Sequence, residues 1–105
     1  MAKFVLLYRG GKPFETAEEG EAHMEKWRAW AKGLGEAYVY PGMPCSDAFT
    51  VSAEDVAPGS GEPSVSGVSV VEADSHDDAV AMARACPHLD IGGDIVVALG
   101  IDMEM

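Results

Sequence analysis

Gly67-Val68-Ser69-Val70-Val71-Glu72-Ala73-Asp74-Ser75 is the stretch that decides the fold of this chain. After Gly67 this stretch has an apolar centre without glycine or proline. Together with the two residues before it, it predicts a strand over Val65–Ala73. Ser75 then has the position of an N-cap, and small apolar residues follow at helical spacing as far as Ala85. Pro87 ends this helix, since proline cannot continue it. The stretch therefore predicts a strand and a helix that packs close to a sheet.

The amino-terminal part of the chain predicts a second strand and helix. Residues 3–9 have an apolar centre and no breaker, as a central strand requires. Thr16 and Glu19 match the capping box, in which a hydroxyl and a carboxylate satisfy free backbone N–H groups. Apolar residues then recur at spacings of one, three and four, so a long helix is predicted over residues 17–32.

Shorter patterns lie between these elements and after them. Residues 37–40 form a short β-type run, which the following Pro-Gly-Met-Pro sequence is expected to end. Phe49–Val51 reads as another short strand, and the proline- and glycine-rich residues 57–63 predict a loop or hairpin tip. Gly92-Gly93 predicts a turn, and residues 94–101 predict the last strand.

The order of these elements, β-α-β-β-α-β with one long connection, predicts a ferredoxin-like α+β sandwich. In this fold a four-stranded antiparallel sheet carries two helices on one face, and the other face is open. The predicted strands are too apolar for a sheet face in water, as the following residues indicate: Val68, Val70, Ile95, Val97 and Leu99. We therefore expect a homodimer in which a second copy covers the open sheet face.

Composition and charge restrict the class of protein. The 105 residues suffice for one domain with its own core, spanning residues 1–105. A net charge of −11 disfavours nucleic acid and anionic membrane surfaces as partners. No apolar run is long enough for a membrane span or a signal peptide, so a cytoplasmic location is expected. Cys45 and Cys86 are far apart in sequence and are expected to be reduced.

A set of short motifs covers nearly the whole chain in a fixed order. The motifs are Trp27-Arg28-Ala29-Trp30, Pro41-Gly42-Met43-Pro44, the stretch from Gly67 to Ser75, Ala79, Cys86-Pro87-His88-Leu89 and Gly92-Gly93. In this order they resemble the YCII-related (YciI-like, DGPF) family. The resemblance implies the dimeric α/β-barrel fold. It also implies a catalytic histidine on the first helix with an aspartate partner, and His23 and Asp47 stand at those positions.

Aromatic residues and His23 form the first group of candidate site residues. His23 lies on the apolar stripe of the first helix, one turn before Trp27, and is a candidate general base. The alternative is a hydrogen-bonded histidine at the edge of the core without a chemical role. Trp27 and Trp30, with Tyr8, are candidate walls of a pocket for a flat or aromatic small molecule. The alternative is that the tryptophans pack the helix against the sheet.

His88 follows the helix-ending Pro87 and is a candidate second polar group at the same cavity. Its alternative is a loop residue that satisfies the end of the helix. Paired C-x-x-C or H-x-x-x-H spacing is absent from the sequence, so no metal site is predicted. A phosphate-cradling glycine loop before a helix is also absent, and no organic cofactor is predicted.

Two functions follow from these residues and from the resemblance. The first is an enzyme that uses acid–base chemistry on a small organic molecule, in a pocket between the first helix and the sheet. His23 would then be the base, and Asp47 or His88 an accessory polar group. The second is a non-catalytic module that binds a small molecule or has a regulatory role. The sequence does not decide between the enzyme and the binding module.

Overall fold

Four strands form one antiparallel sheet in the order β2-β5-β1-β6, and two helices cover one of its faces. The structure, a computed structural model, describes residues 1–103. The elements are β1 (Ala2–Arg9), α1 (Ala17–Leu34), β2 (Tyr40–Pro44), β3 (Phe49–Val51), β4 (Val56–Pro58), β5 (Val65–Ala73), α2 (His76–Arg84) and β6 (Asp94–Leu99), with 3₁₀ turns at Gly35–Ala37 and Pro87–Ile91. The predicted ferredoxin-like α+β sandwich is confirmed.

The core lies between the helices and one face of the sheet. Phe4, Leu6 and Tyr8 alternate along β1 and are buried, because successive side chains of a strand point to opposite faces. On α2, Ala79 and Ala83 face the sheet and are buried. Their small side chains let the helix backbone approach the strands closely, as its sequence predicts. The two central strands therefore hold the helices in place.

The N-cap of α1 explains where the helix begins. Thr16 has an extended backbone, and its Oγ1 accepts a hydrogen bond from the Glu19 N–H at 3.1 Å. The Glu19 carboxylate accepts a hydrogen bond from the N–H of Glu15 at 3.0 Å. In a capping box the donor is the N–H of the N-cap itself, here Thr16, so the donor lies one residue earlier than expected. The helix continues two residues beyond the predicted residue 32, to Leu34, and Gly35 follows as its C-cap with a φ of 57°.

The predicted strand at residues 37–40 is wrong, because a 3₁₀ turn occupies Gly35–Ala37 and β2 begins at Tyr40. The strand then includes the Pro-Gly-Met-Pro sequence that was expected to end it. Strand β2 is at the edge of the sheet, where a proline without an N–H does not remove a ladder hydrogen bond. Gly42, with φ of 78°, lies at an irregularity in the pairing with β5.

A separate two-stranded hairpin projects between β2 and β5. It consists of β3 and β4, so the predicted short strand Phe49–Val51 is confirmed. The predicted loop over residues 57–63 is wrong at its first two residues, which belong to β4. Phe49, Val51 and Val56 share one face of this hairpin, and 59–72% of their surface is exposed. The hairpin therefore presents an apolar surface to the solvent.

The sheet face opposite the helices has no covering element among the described residues. Its apolar side chains are Val5, Leu7, Val68, Val70, Val96 and Ala98. Of the strand residues named in the sequence analysis, Val68 and Val70 lie on this face, and Ile95, Val97 and Leu99 lie on the other. These three residues pair in register with Tyr8, Leu6 and Phe4, which point toward the helices. The open face is nevertheless apolar along its two central strands.

Candidate functional site

A cavity of about 560 Å³ lies between α1, the end of β1, the edge strand β2 and the 3₁₀ turn Pro87–Ile91. Its walls are mostly apolar and aromatic. The lining residues are Tyr8, Gly10, Gly11, Lys12, Pro13, Phe14, His23, Met24, Trp27, Tyr38, Pro41, Gly42, Met43, Pro44, Ser66, Gly67, Val68, His88 and Ile91. Four of the predicted site residues, Tyr8, His23, Trp27 and His88, therefore meet at one cavity.

The two tryptophans of α1 have different roles. Trp27 lines the cavity and stands edge-on to Tyr8, with ring centroids 5.2 Å apart. Trp30 is buried behind it and donates its Nε1–H to the backbone oxygen of Met82 at 3.0 Å. Trp30 does not line the cavity, so its position fits the alternative that it packs the helix onto the rest of the core. The edge-on contact between the two indoles, at 5.2 Å, supports the cavity wall.

Tyr8 forms the inner wall of the cavity. Its hydroxyl is hydrogen-bonded to the Ser69 Oγ, which is also buried. Burial raises the pKa of Tyr8 far above its ordinary value, so the phenol stays neutral at physiological pH. Tyr8 therefore contributes an aromatic surface, and its hydroxyl is already engaged with a partner of the chain.

His23 is held by the indole one turn later on α1. Trp27 donates its Nε1–H to the Nε2 of His23 at 2.8 Å. An indole nitrogen only donates, so Nε2 of His23 has to be the acceptor and the neutral ring carries its proton on Nδ1. Phe14 packs beside the same imidazole, with ring centroids 5.0 Å apart. The contact with Trp27 therefore selects one tautomer of His23.

Acidification is expected to destabilise the protein through His23. Burial lowers the pKa of His23, and the charges of His88 and Lys26 act in the same direction. The unfolded chain then binds a proton at a higher pH than the folded one. The free energy of unfolding should fall as the pH drops below about 6.5, the ordinary histidine value. Urea unfolding at a series of pH values should show a weaker fall for His23→Gln, and parallel curves for variant and wild type would contradict this expectation.

His88 is fixed by a backbone carbonyl from the other end of the chain. Its Nε2 lies 2.8 Å from the carbonyl oxygen of Arg9, the last residue of β1. A carbonyl only accepts, so Nε2 carries the hydrogen and the neutral ring has its lone pair on Nδ1. Arg9 is held in turn by two hydrogen bonds to the Asp94 carboxylate, of 2.8 and 3.0 Å. The site thus depends on the pairing of β1 with β6.

Two glycines make room for the imidazole of His88. A side chain at Gly93 would overlap the His88 ring. A Cβ at Gly11, whose φ is 99°, would lie 3.1 Å from Cε1 of His88 and 3.0 Å from Cδ1 of Ile91. The predicted turn at Gly92-Gly93 is present, since Gly92 ends the 3₁₀ turn in the left-handed conformation. The small residues therefore allow His88 to be buried between β1 and β6.

The structure does not bring Asp47 to His23 within this protomer. Asp47 is exposed in the connection from β2 to β3, with φ of 41°, and does not line the cavity. The carboxylate whose charge reaches His23 is that of Asp90, in the 3₁₀ turn that also carries His88. Topology alone brings Asp90 near His23, and no sequence motif marks it.

The loop after β1 is the main part of the site that the sequence analysis missed. Residues 10–14, Gly-Gly-Lys-Pro-Phe, all line the cavity, although none of them was among the predicted site residues. The paired glycines were a signal for close backbone approach, which Gly11 makes toward His88. Ser66 also lines the cavity. Its Oγ is the one buried side-chain nitrogen or oxygen in residues 1–103 without a hydrogen-bond partner.

The two cysteines lie outside the cavity lining. Both cysteines are free thiols, Cys45 exposed and Cys86 buried. Burial raises the pKa of Cys86 to about 11, which keeps the thiol protonated.

Within the described part of the chain, no three His, Cys, Asp or Glu side chains are grouped to hold a metal ion. In the same residues, no helix has the length and apolar character of a membrane span.

Comparison with solved structures gives the fold a known counterpart. The chain is similar to the 5-chloro-2-hydroxyhydroquinone dehydrochlorinase TftG from Burkholderia phenoliruptrix AC1100, solved in complex with 2,5-dihydroxybenzoquinone. The TM-score is 0.56 at 16% sequence identity, over 97% of this chain and 95% of that chain. The likeness shows the fold, which is that of the dimeric α/β-barrel proteins. No family model matches the chain, and no curated protein matches it.

Proposed function

We propose that this protein is an enzyme that binds a small, flat, oxygen-bearing organic molecule and moves a proton with histidine side chains. The observation that carries the proposal is that His23 and His88, from separate elements, line one aromatic cavity. Histidine is the side chain best suited to proton transfer near neutral pH. The reaction needs neither a metal nor an organic cofactor in this proposal.

The shape and chemistry of the cavity support a ring-shaped ligand. Its volume of about 560 Å³ is within the range of small-molecule sites. Trp27, Tyr8 and Phe14 offer aromatic surfaces on which a planar ring can pack. The two imidazoles, with Lys12 and Ser66, supply the few polar groups that orient a ligand in a mostly apolar site. A planar molecule with hydroxyl or carbonyl oxygens matches both kinds of wall.

The solved neighbour supports the same ligand class. TftG acts on a chlorinated hydroxyhydroquinone and was solved with 2,5-dihydroxybenzoquinone, and both are small, flat and oxygen-rich. A shared fold does not carry a reaction with it, so this neighbour adds weight only to the size and class of the ligand. We also propose membership of the YCII-related family, on the sequence motifs given above, and a cytoplasmic location, because no apolar run in the sequence has the length of a membrane span.

A homodimer is part of the proposed assembly. The open face of the sheet has apolar side chains on both central strands, among them Leu7 and Val70. A second copy is the partner best supported, because the fold is that of dimeric α/β-barrel proteins. The apolar face of the β3–β4 hairpin offers additional surface for the same contact.

The second candidate function is a binding module without chemistry. The observation that favours it is that no carboxylate is hydrogen-bonded to His23 or His88 within residues 1–103. Histidines that act as general bases are commonly oriented by a carboxylate. In this protein an indole and a backbone carbonyl take that place, so binding and catalysis have to be separated by experiment.

Ligand binding is tested with 2,5-dihydroxybenzoquinone, followed by quenching of tryptophan fluorescence. We expect saturable binding, and Phe14→Ala should weaken it about fivefold, because one aromatic contact contributes about 1 kcal/mol. Phe49→Ala is the matched control, since Phe49 is also an exposed phenylalanine but lies on the hairpin, away from the cavity. No binding, or equal losses in the two variants, would contradict the ligand class. Binding without conversion of any hydroxylated ring compound would favour the binding module.

A further inference from the structure

We infer that Nδ1 of His88 accepts the substrate proton, while Nδ1–H of His23 donates a hydrogen bond to the oxygen that becomes negative. This inference rests on the proposed function and assigns separate roles within the same cavity. It departs from the expectation that His23 is the base, an expectation based on the position of His23 in the first helix.

The free lone pair belongs to His88. Nε2 of His88 donates to the carbonyl oxygen of Arg9, so the acceptor nitrogen of the neutral ring is Nδ1. None of the described residues hydrogen-bonds to this Nδ1. Nδ1 is also not fully buried, because in residues 1–103 the one fully buried side-chain nitrogen or oxygen without a hydrogen-bond partner is Ser66 Oγ. Nδ1 therefore keeps some access although His88 as a whole is buried, and His88 is one of the residues that line the cavity.

Protonation leaves the anchoring contact of His88 intact. When Nδ1 takes a proton, Nε2–H still donates to the carbonyl of Arg9. His23 has no such freedom, because a proton on Nε2 would point at the Nε1–H of Trp27 and break the 2.8 Å hydrogen bond. A general base has to gain and lose its proton in every cycle. The structure supports that cycle at His88 and opposes it at His23.

Charged and titratable groups surround His88 on several elements. His23 approaches from α1, Tyr8 from β1 and Asp94 from β6. Cys86 and Asp90 belong to the segment that carries His88 itself. The hydrogen bond to Arg9 is the main cause of the lowered pKa of Asp94, and the charge of His88 acts in the same direction. Asp94 is thus a carboxylate anion near the imidazolium that the reaction forms.

The proton balance is complete without another reactant. The O–H bond of the ligand breaks, and its proton forms a bond to Nδ1 of His88. The electron pair stays on the ligand oxygen, which becomes an oxyanion. Nδ1–H of His23 donates to this oxyanion and stays on His23, since charge-assisted hydrogen bonds are about twice as strong as neutral ones. The proton returns from His88 to the product or to water.

The tautomers can be measured without a ligand. In ¹⁵N-labelled protein at slightly alkaline pH, long-range ¹H–¹⁵N spectra of the imidazoles should show His23 protonated on Nδ1 and His88 on Nε2. His23→Gln and His88→Gln assign the two signals, and the remaining signal is that of His76, at the start of α2. A proton on Nδ1 of neutral His88 would overturn the inference, whatever the protein binds.

The roles are tested with 4-nitrocatechol, whose ionised form absorbs at longer wavelength. Wild type should raise the ratio of ionised to neutral probe at mildly acidic pH, and His88→Gln should lower this ratio at least tenfold. His23→Leu should instead weaken binding of the anion about tenfold. His76→Gln is the matched control and should behave like wild type. Ionisation that is lost in the His23 variant but kept in the His88 variant would overturn the assignment. If wild type does not bind the probe, the proposed ligand class is contradicted. The tautomer measurement would then still decide the inference.

Discussion

Replacement of Gly42 by alanine is expected to destabilise the sheet strongly. A Cβ at this position would overlap the carbonyl oxygen of Val68, on the neighbouring strand β5. The obstacle is backbone, so no side-chain rotation can relieve the overlap. The φ of 78° adds strain of about 1–2 kcal/mol for any residue with a Cβ. We expect a total loss of roughly 4 kcal/mol in the free energy of unfolding, at the upper end for point mutations.

Gly59 is the matched control for this prediction. Its φ is 96°, but an added Cβ would meet no atom within 4 Å. Gly59→Ala should therefore show the backbone strain alone, about 1–2 kcal/mol. Thermal and urea unfolding of both variants, at one protein concentration, separate the steric term from the strain. Equal losses in the two variants would mean that Gly42 does not approach β5 as closely as the structure shows.

Introduction of a carboxylate on the open sheet face is expected to convert a dimer into monomers. Leu7 lies on the central strand β1, on the face that the helices leave uncovered. In a twofold interface Leu7→Glu buries two unpaired charges at once. Even a cost of about 4 kcal/mol weakens the association about a thousandfold. Sedimentation velocity at micromolar concentration should then show a dimer for wild type and a monomer for the variant.

Val80→Glu is the control for charge alone. Val80 is an exposed apolar residue of α2, on the opposite side of the sheet, so this variant should remain a dimer. Circular dichroism should show that Leu7→Glu is still folded, because Leu7 does not belong to the core between the helices and the sheet. A wild-type protein that is monomeric at this concentration would contradict the proposed assembly through the open face.

Local sequence patterns predicted the elements whose signals are local. Strand β5 followed from its apolar run, and the starts of α1 and α2 from Thr16 and Ser75, whose hydroxyls accept the expected backbone hydrogen bonds. Edge strand β2 was misplaced, since its prolines and Gly42 are turn signals in isolation. An edge position and a close contact with Val68 make them compatible with a strand.

The sequence predicted four side chains of the cavity, Tyr8, His23, Trp27 and His88, but not their arrangement. Helical spacing places His23, Trp27 and Trp30 on one stripe, yet only the docking of α1 decides that Trp27 lines the cavity while Trp30 is buried. The proposed partner of His23, Asp47, was drawn from a motif position. The carboxylate whose charge acts on His23 is instead that of Asp90.

The sequence by itself determined the order of elements, the helix caps and a set of aromatic and imidazole groups. Each of these depends on interactions within a few residues, which spacing and residue type reveal directly. Tertiary structure decided which nitrogen of His88 is free. The partner of His88 is the carbonyl of Arg9, 79 residues away in the chain. Every backbone carbonyl is chemically alike, so no residue type marks such a contact, and only the pairing of β1 with β6 brings it into place.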